Sequence, residues 1–216
     1  MTGEGWEPPL FSKILLIIMA YSDFTLKDLK KKFNLTLIET AGVFQDISPR
    51  KPSSILESIL QDNIPLALAV NTEKARAELL ISPILVELRN QMNKEISLFS
   101  GVDFTVDPSL GLNGVVDFLI SRSPEQLMIE SPVTVLVEAK KENLNAAIPQ
   151  CIAEMIAAQK FNEIQENVIP AINGVVTTGS AWKFLRLEGT TVTLDLNEYY
   201  IPPVNKVLGI LNYLLI

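Results

Sequence analysis

Val133-Thr-Val-Leu-Val-Glu-Ala-Lys140 is the stretch whose reading decides the fold. VTVLV is apolar and mostly β-branched, which predicts a buried strand. Alternation along a strand puts Glu138 and Lys140 on one side and Ala139 on the other. A buried strand that ends in a carboxylate and an ammonium must supply partners for both, because unpaired buried charge is costly. The preceding strand signal, Val115–Ser121 (VVDFLIS), has Asp117 in the middle of an apolar run, where strand propensity disfavours it. A metal, a lysine or both would account for that residue. Asp117 and Glu138 on adjacent strands would hold one Mg²⁺ or Mn²⁺ from one side, leaving positions for water and phosphate. Lys140 would then orient the attacking water or help to deprotonate it.

Working outward, Ile96–Val106 alternates loosely as a strand. Leu144–Phe161 is an Ala-, Ile- and Met-rich helix, and Ala171–Thr177 is a strand. Trp182–Leu187 and Thr190–Asp195 predict a hairpin across Glu188-Gly189, with a closing helix after Pro202-Pro203. Upstream, Ala77, Leu80, Ile81, Ile84, Leu85 and Leu88 recur at helical spacing and predict a helix over 72–92, kinked at Pro83. The first 70 residues read as helical and irregular. Helices are expected at Leu10–Tyr21, at Leu26–Phe33 with Thr25 as N-cap and Asp28 closing a capping box, and at Ile55–Gln61. The step from Val133 to Thr177 should be a right-handed parallel crossover. The expectation is an α/β chain, with a mixed central sheet flanked by helices. A helical N-terminal extension (1–70) would precede one compact unit (71–216).

Composition narrows the chemistry. The 216 residues contain no histidine and one cysteine, Cys151. That removes Ser-His-Asp and Cys-His catalysis and imidazole–thiolate zinc sites, so any metal would be held by oxygen. Cys151 lies among Ile152, Met155 and Ile156 and reads as a core thiol. One cysteine allows no intrachain disulfide and suits a cytoplasmic setting. The run Leu10–Ala20 is too short to span a bilayer, so no membrane association is expected. A net charge of −7 counts against general nucleic-acid affinity. Lys27, Lys30 and Lys31 share a helix face, with Lys32, Arg50 and Lys51 nearby; a solvated face is the simpler reading. Gly179-Ser180 is followed by no lysine that would make a phosphate loop, and Trp182 reads as core.

Glu-x-Lys alone is weak, since it arises by chance roughly once in a chain this long. Asp28-Leu29-Lys30 is such a decoy, set on a helix. The context is stronger. Asp117 and Glu138-Ala139-Lys140 on consecutive strands, followed by the helix carrying Gln150, resemble the PD-(D/E)XK, restriction endonuclease-like superfamily. The resemblance spans about Glu73 to Leu187. It is strongest to the N-terminal nuclease segment of type I restriction subunits and their stand-alone bacterial relatives. The helix from Glu73 through Arg76 and Glu78 to Pro83 is similar to that group's leading helix, and Thr178-Gly179 with Trp182 to its strand-end Thr-x-Gly and aromatic. Val116 departs from the motif's proline, and Glu154 stands where some relatives have tyrosine.

The resemblance implies a restriction endonuclease-like αβββαβ core and a Mg²⁺- or Mn²⁺-dependent nuclease that cleaves DNA. Asp117 and Glu138, with the Ala139 carbonyl, would be the metal ligands. Lys140 would handle the water, Glu73 or Glu78 would reach the metal directly or through water, and Gln150 would touch metal-bound water or the scissile strand. DNA binding would come from a basic rim, a homodimer or a partner subunit. Two other readings stand beside it: a catalytically inactive nuclease-fold protein serving as a binding or regulatory module, and a metal hydrolase of small phosphate esters. The simplest account of Asp117 and Lys140 is a structural ion pair across the two strands.

Overall fold

The computed structural model describes residues 19–216. The expected helix at Leu10–Tyr21 falls almost wholly outside them; Tyr21–Asp23 is a single 3₁₀ turn. The helix α1 (Leu26–Phe33) starts as expected. Thr25 accepts the Asp28 N–H and Asp28 accepts the Thr25 N–H in return, while Asn34 ends the helix in the left-handed region.

The strands are β1 (Thr36–Thr40), β2 (Ser97–Asp103), β3 (Val115–Ser121), β4 (Val133–Ala139), β5 (Ile172–Thr177), β6 (Ala181–Glu188), β7 (Thr191–Asp195) and β8 (Tyr199–Tyr200). They form one mixed eight-stranded sheet in the order β1-β7-β6-β5-β4-β3-β2, with β8 beside β6. β4 runs parallel to β5, as the crossover reading requires, and antiparallel to β3. The expected hairpin is β6–β7. The N-terminal 70 residues are not wholly helical: β1 pairs in parallel with β7 at one edge of the sheet. A five-residue TLIET carries little alternation of its own. Its pairing with a distant strand is a tertiary choice.

Helices cover both faces. α5 (Leu144–Ile164) packs with α1 on one face, over Val116, Leu119, Val133, Leu136, Val176 and Leu185. The other face carries Phe118, Val135, Val137, Val175, Trp182 and Phe184. It is covered by α2 (Ser54–Val70), the continuous rod α3 (Glu73–Arg76), a π-helical turn (Ala77–Ile81) and α4 (Ser82–Gln91), and by α6 (Asn205–Tyr213). The chain is therefore α/β, a mixed sheet flanked by helices.

Two prolines explain departures from the expected helices. Pro83 has no N–H for the Leu79 carbonyl, and the rod answers with a π turn rather than a break. The Leu79 carbonyl instead accepts the Asn63 amide at 2.8 Å, so α2 supplies the missing donor. α2 itself runs from Ser54 through Pro65 to Val70, well beyond the expected Gln61. Leu56, Leu60 and Ala67 bury one side of it on the core, and that burial outweighs the lost hydrogen bond. The buried Glu87 of α4 fixes the start of α2 by accepting the Ser53 N–H at 2.8 Å and its hydroxyl at 2.7 Å.

Candidate metal centre

The register brings the two strand carboxylates face to face. Phe118 pairs with Val137 and Leu119 with Leu136, so Asp117 stands opposite Glu138 one step further on. The ladder ends there. The Asp117 side chain replaces it, accepting the Ala139 N–H on Oδ2 at 2.8 Å. On the other side of β3, Asp117 faces Gly101, whose φ of +60° interrupts the β2–β3 pairing between Ser100–Phe118 and Val102–Val116. The strands are thus parted where the acidic residues lie. A cleft of about 260 Å³ opens there, lined by Glu73, Glu78, Ser100, Gly101, Asp117 and Ala139 among others.

Glu138 and Lys140 lie on one side, as alternation requires, and the Lys140 ammonium bonds Glu138 Oε1 directly. Lys140 does not bridge to Asp117, so the expected cross-strand ion pair is replaced by one within the Glu-x-Lys motif. Burial disfavours the Lys140 charge, but the hydrogen bond and charge of Glu138, with Glu73 and Asp117 adding to them, raise its pKa above the ordinary lysine value. Lys140 is therefore a cation at neutral pH. Its chemistry is donation and charge rather than proton acceptance.

The two helix glutamates divide clearly. Glu78 is held at 2.9 Å by Lys74, both side chains largely exposed. Glu73 is the one whose field reaches Lys140. Gln150 does not line the cleft; its amide donates to Glu154 Oε1 at 3.1 Å.

Glu154 is what sequence reasoning passed over, noting it only as a departure. It is fully buried beneath the sheet and its carboxyl feels the charge of Glu138, itself 1 % exposed. One oxygen on each, Glu138 Oε2 and Glu154 Oε2, has no donor among the described residues. Two neighbouring buried carboxyls, only one of them bonded by a lysine, need a proton or a cation to fill the gap. Burial, then the Asp117 charge, push the Glu138 carboxyl up to about 7. Burial, then Glu138, push Glu154 well above the carboxylate range. A single charged residue inside Ala147–Ala158, an otherwise almost wholly apolar run, was the available signal.

The remaining motif residues are structural. Trp182 is core, its indole donating to the Gly179 carbonyl at 2.9 Å. Arg76 clamps the same turn through the Thr178 carbonyl at 2.9 Å and Ser180 Oγ at 3.2 Å. Cys151 is buried beside the Val175 carbonyl, and burial raises its thiol pKa.

The chain matches no protein-family model and no curated protein. Among the described residues, no three or more Asp, Glu or Cys side chains come together as a ready-made metal cage, and no helix is long and apolar enough to cross a membrane. Asp117 and Glu138 still suit a hard divalent ion in kind: both offer oxygen, they are adjacent, and Glu138 keeps an unpartnered buried oxygen. Two carboxylates leave the other positions to water and substrate oxygens, as Mg²⁺ commonly requires.

The Glu138–Glu154 pair gives a pH prediction. Its folded pKa values lie above those of the unfolded chain, so its contribution is intact below about pH 4.5 and is lost as pH rises through about 7. In EDTA, thermal unfolding followed by circular dichroism should show the Tm falling between pH 5 and pH 8, a loss on the order of 2–3 kcal/mol. Glu154→Gln keeps the bond from Gln150 and gives Glu138 a permanent donor. It should flatten most of that slope, and an unchanged slope would refute the assignment.

Proposed function

We propose that the protein is a Mg²⁺- or Mn²⁺-dependent phosphodiesterase of the PD-(D/E)XK, restriction endonuclease-like kind that cleaves DNA. The observation that carries this is the end of the β3–β4 ladder, which sets Asp117, on a cleft, opposite Glu138 and its partner Lys140. Glu138 and Glu154 each also leave a buried carboxylate oxygen without a donor among the described residues, a gap that a bound cation would help to fill. Asp117 and Glu138, with the Ala139 carbonyl, would hold the ion. When bound, it would supply Lewis acidity at a phosphoryl oxygen and a more acidic water.

The protein's own groups do the rest. Lys140 holds a fixed cation beside Glu138, where it offsets phosphate charge and orients a water by donating to it. Glu73 reaches the same cleft from α3 and holds water at its rim. Gln150 acts through Glu154, and so through Glu138, rather than by touching the scissile strand.

The reading as a binding module without catalysis rests on one observation: Glu138 already has Lys140 as its counter-ion. Calorimetric titration with Mn²⁺ separates the two. The nuclease reading expects one ion per chain, lost in Asp117→Asn, together with nicking of supercoiled plasmid. Absence of both binding and nicking would leave the module.

A further inference from the structure

The acidic chain needs a place to hold a polyanion, and α1 supplies one. Four of its eight residues are lysines and one is an aspartate, within a chain of net charge −7. Lys27, Lys30, Lys31 and Lys32 are all exposed, and none has an acidic partner within 4 Å among the described residues. The Asp28 carboxylate accepts the Thr25 N–H and hydroxyl and caps the helix; Lys27 and Lys31 feel its charge but make no ion pair with it. Lys32 lies over the rings of Phe24 and Phe33, at 5.6 and 6.0 Å. Lys27, Lys30 and Lys31 are left at i, i+3 and i+4, a single basic face about 6 Å long.

The helix is a fixed platform. It is capped at both ends, and Leu29 is fully buried. Leu26 and Leu29 sit over Ile152 of α5, the helix that follows the Glu-x-Lys strand. Ile152 is eight residues into α5, about 12 Å along its axis from its N-terminal end. α1 therefore lies on the sheet face toward which Glu138 points.

We propose that the Lys27–Lys30–Lys31 face of α1 binds the phosphate backbone of double-stranded DNA, without reading its sequence. The inference rests on the phosphodiesterase reading for its choice of polyanion. An anionic membrane surface is the competing partner. It fits less well because α1 has its apolar side committed to the core, with nothing apolar left on the basic face to enter a bilayer.

The test uses the full chain in EDTA, so that binding is measured apart from chemistry. Fluorescence anisotropy with a 20-base-pair duplex is recorded across a salt series for wild type, for Lys27→Ala/Lys30→Ala/Lys31→Ala, and for Lys51→Ala as a control. Each phosphate that a lysine no longer neutralises should flatten the log–log salt dependence by about 0.9. The triple variant should therefore have a slope shallower by about 2–3 and bind at least about tenfold more weakly at low salt, with the control unchanged. An unchanged slope and affinity in the triple variant would overturn the proposal even if wild type cleaves DNA. So would lysine-dependent binding to phosphatidylserine vesicles without binding to duplex. Lysine-dependent duplex binding by a protein that neither takes up Mn²⁺ nor cleaves would sustain this inference and sink the phosphodiesterase reading alone.

Discussion

Lys140→Ala should lower Mn²⁺-dependent plasmid nicking by about 10²–10⁴-fold, the usual worth of a positioned proton-handling or charge-stabilising group. The fold should survive. Lys140 is half-buried at the end of β4, and the carboxyl it leaves behind can take up a proton, since burial already holds Glu138 near 7. Lys140→Arg keeps the cation and its bond to Glu138 and should retain part of the activity. Nicking rate and Tm measured together separate the cases. Full activity in Lys140→Ala would remove Lys140 from the reaction, whereas equal collapse of rate and Tm would mark it as structural.

The largest effect on stability is expected at Gly209, in the middle of α6. A Cβ built there would stand 2.2 Å from the Ser48 carbonyl oxygen and 3.2 Å from Pro49 Cα. Both are backbone, so no side chain can rotate away. α6 and the Ser48–Pro49 segment are in direct contact, and next to it the Arg50 N–H donates to the Asn205 carbonyl at 2.9 Å. Gly209→Ala must push the two apart. The cost should be about 3 kcal/mol, against the small gain in helix propensity that alanine normally brings. For a domain of this size that lowers Tm by about 6–12 °C, which calorimetry would resolve. A Tm equal to wild type or higher would mean that α6 does not sit where the backbone contact puts it.

Much of this architecture was legible in the sequence, for reasons that differ by element. β3, β4 and β5 are β-branched runs bounded by turn residues, and only burial in a sheet suits them. The capping box at Thr25–Asp28 is a local signal, read correctly because nothing distant competes with it, and the apolar spacing from Ala77 to Leu88 gave the helical rod though not the π turn that Pro83 brings. That Asp117 and Glu138 would lie opposite each other was legible because charge at the end of an apolar strand needs partners.

What sequence could not yield depends on partners far away in the chain. The length of α2 beyond Pro65, and its role as donor to the carbonyl freed by Pro83, are matters of packing between helices. The place of β1 beside β7 is a long-range pairing that five residues cannot encode alone. Lys140 pairs with Glu138 rather than Asp117 because the Ala139 N–H claims Asp117 where the ladder stops. The pairing of Glu138 with Glu154 needs α5 laid across the sheet. Local composition and periodicity therefore determined which strands exist and which charges they carry. Only the tertiary structure decided which charges meet, because a carboxylate's energy is set by burial and by neighbours within a few ångströms, and those neighbours come from other elements.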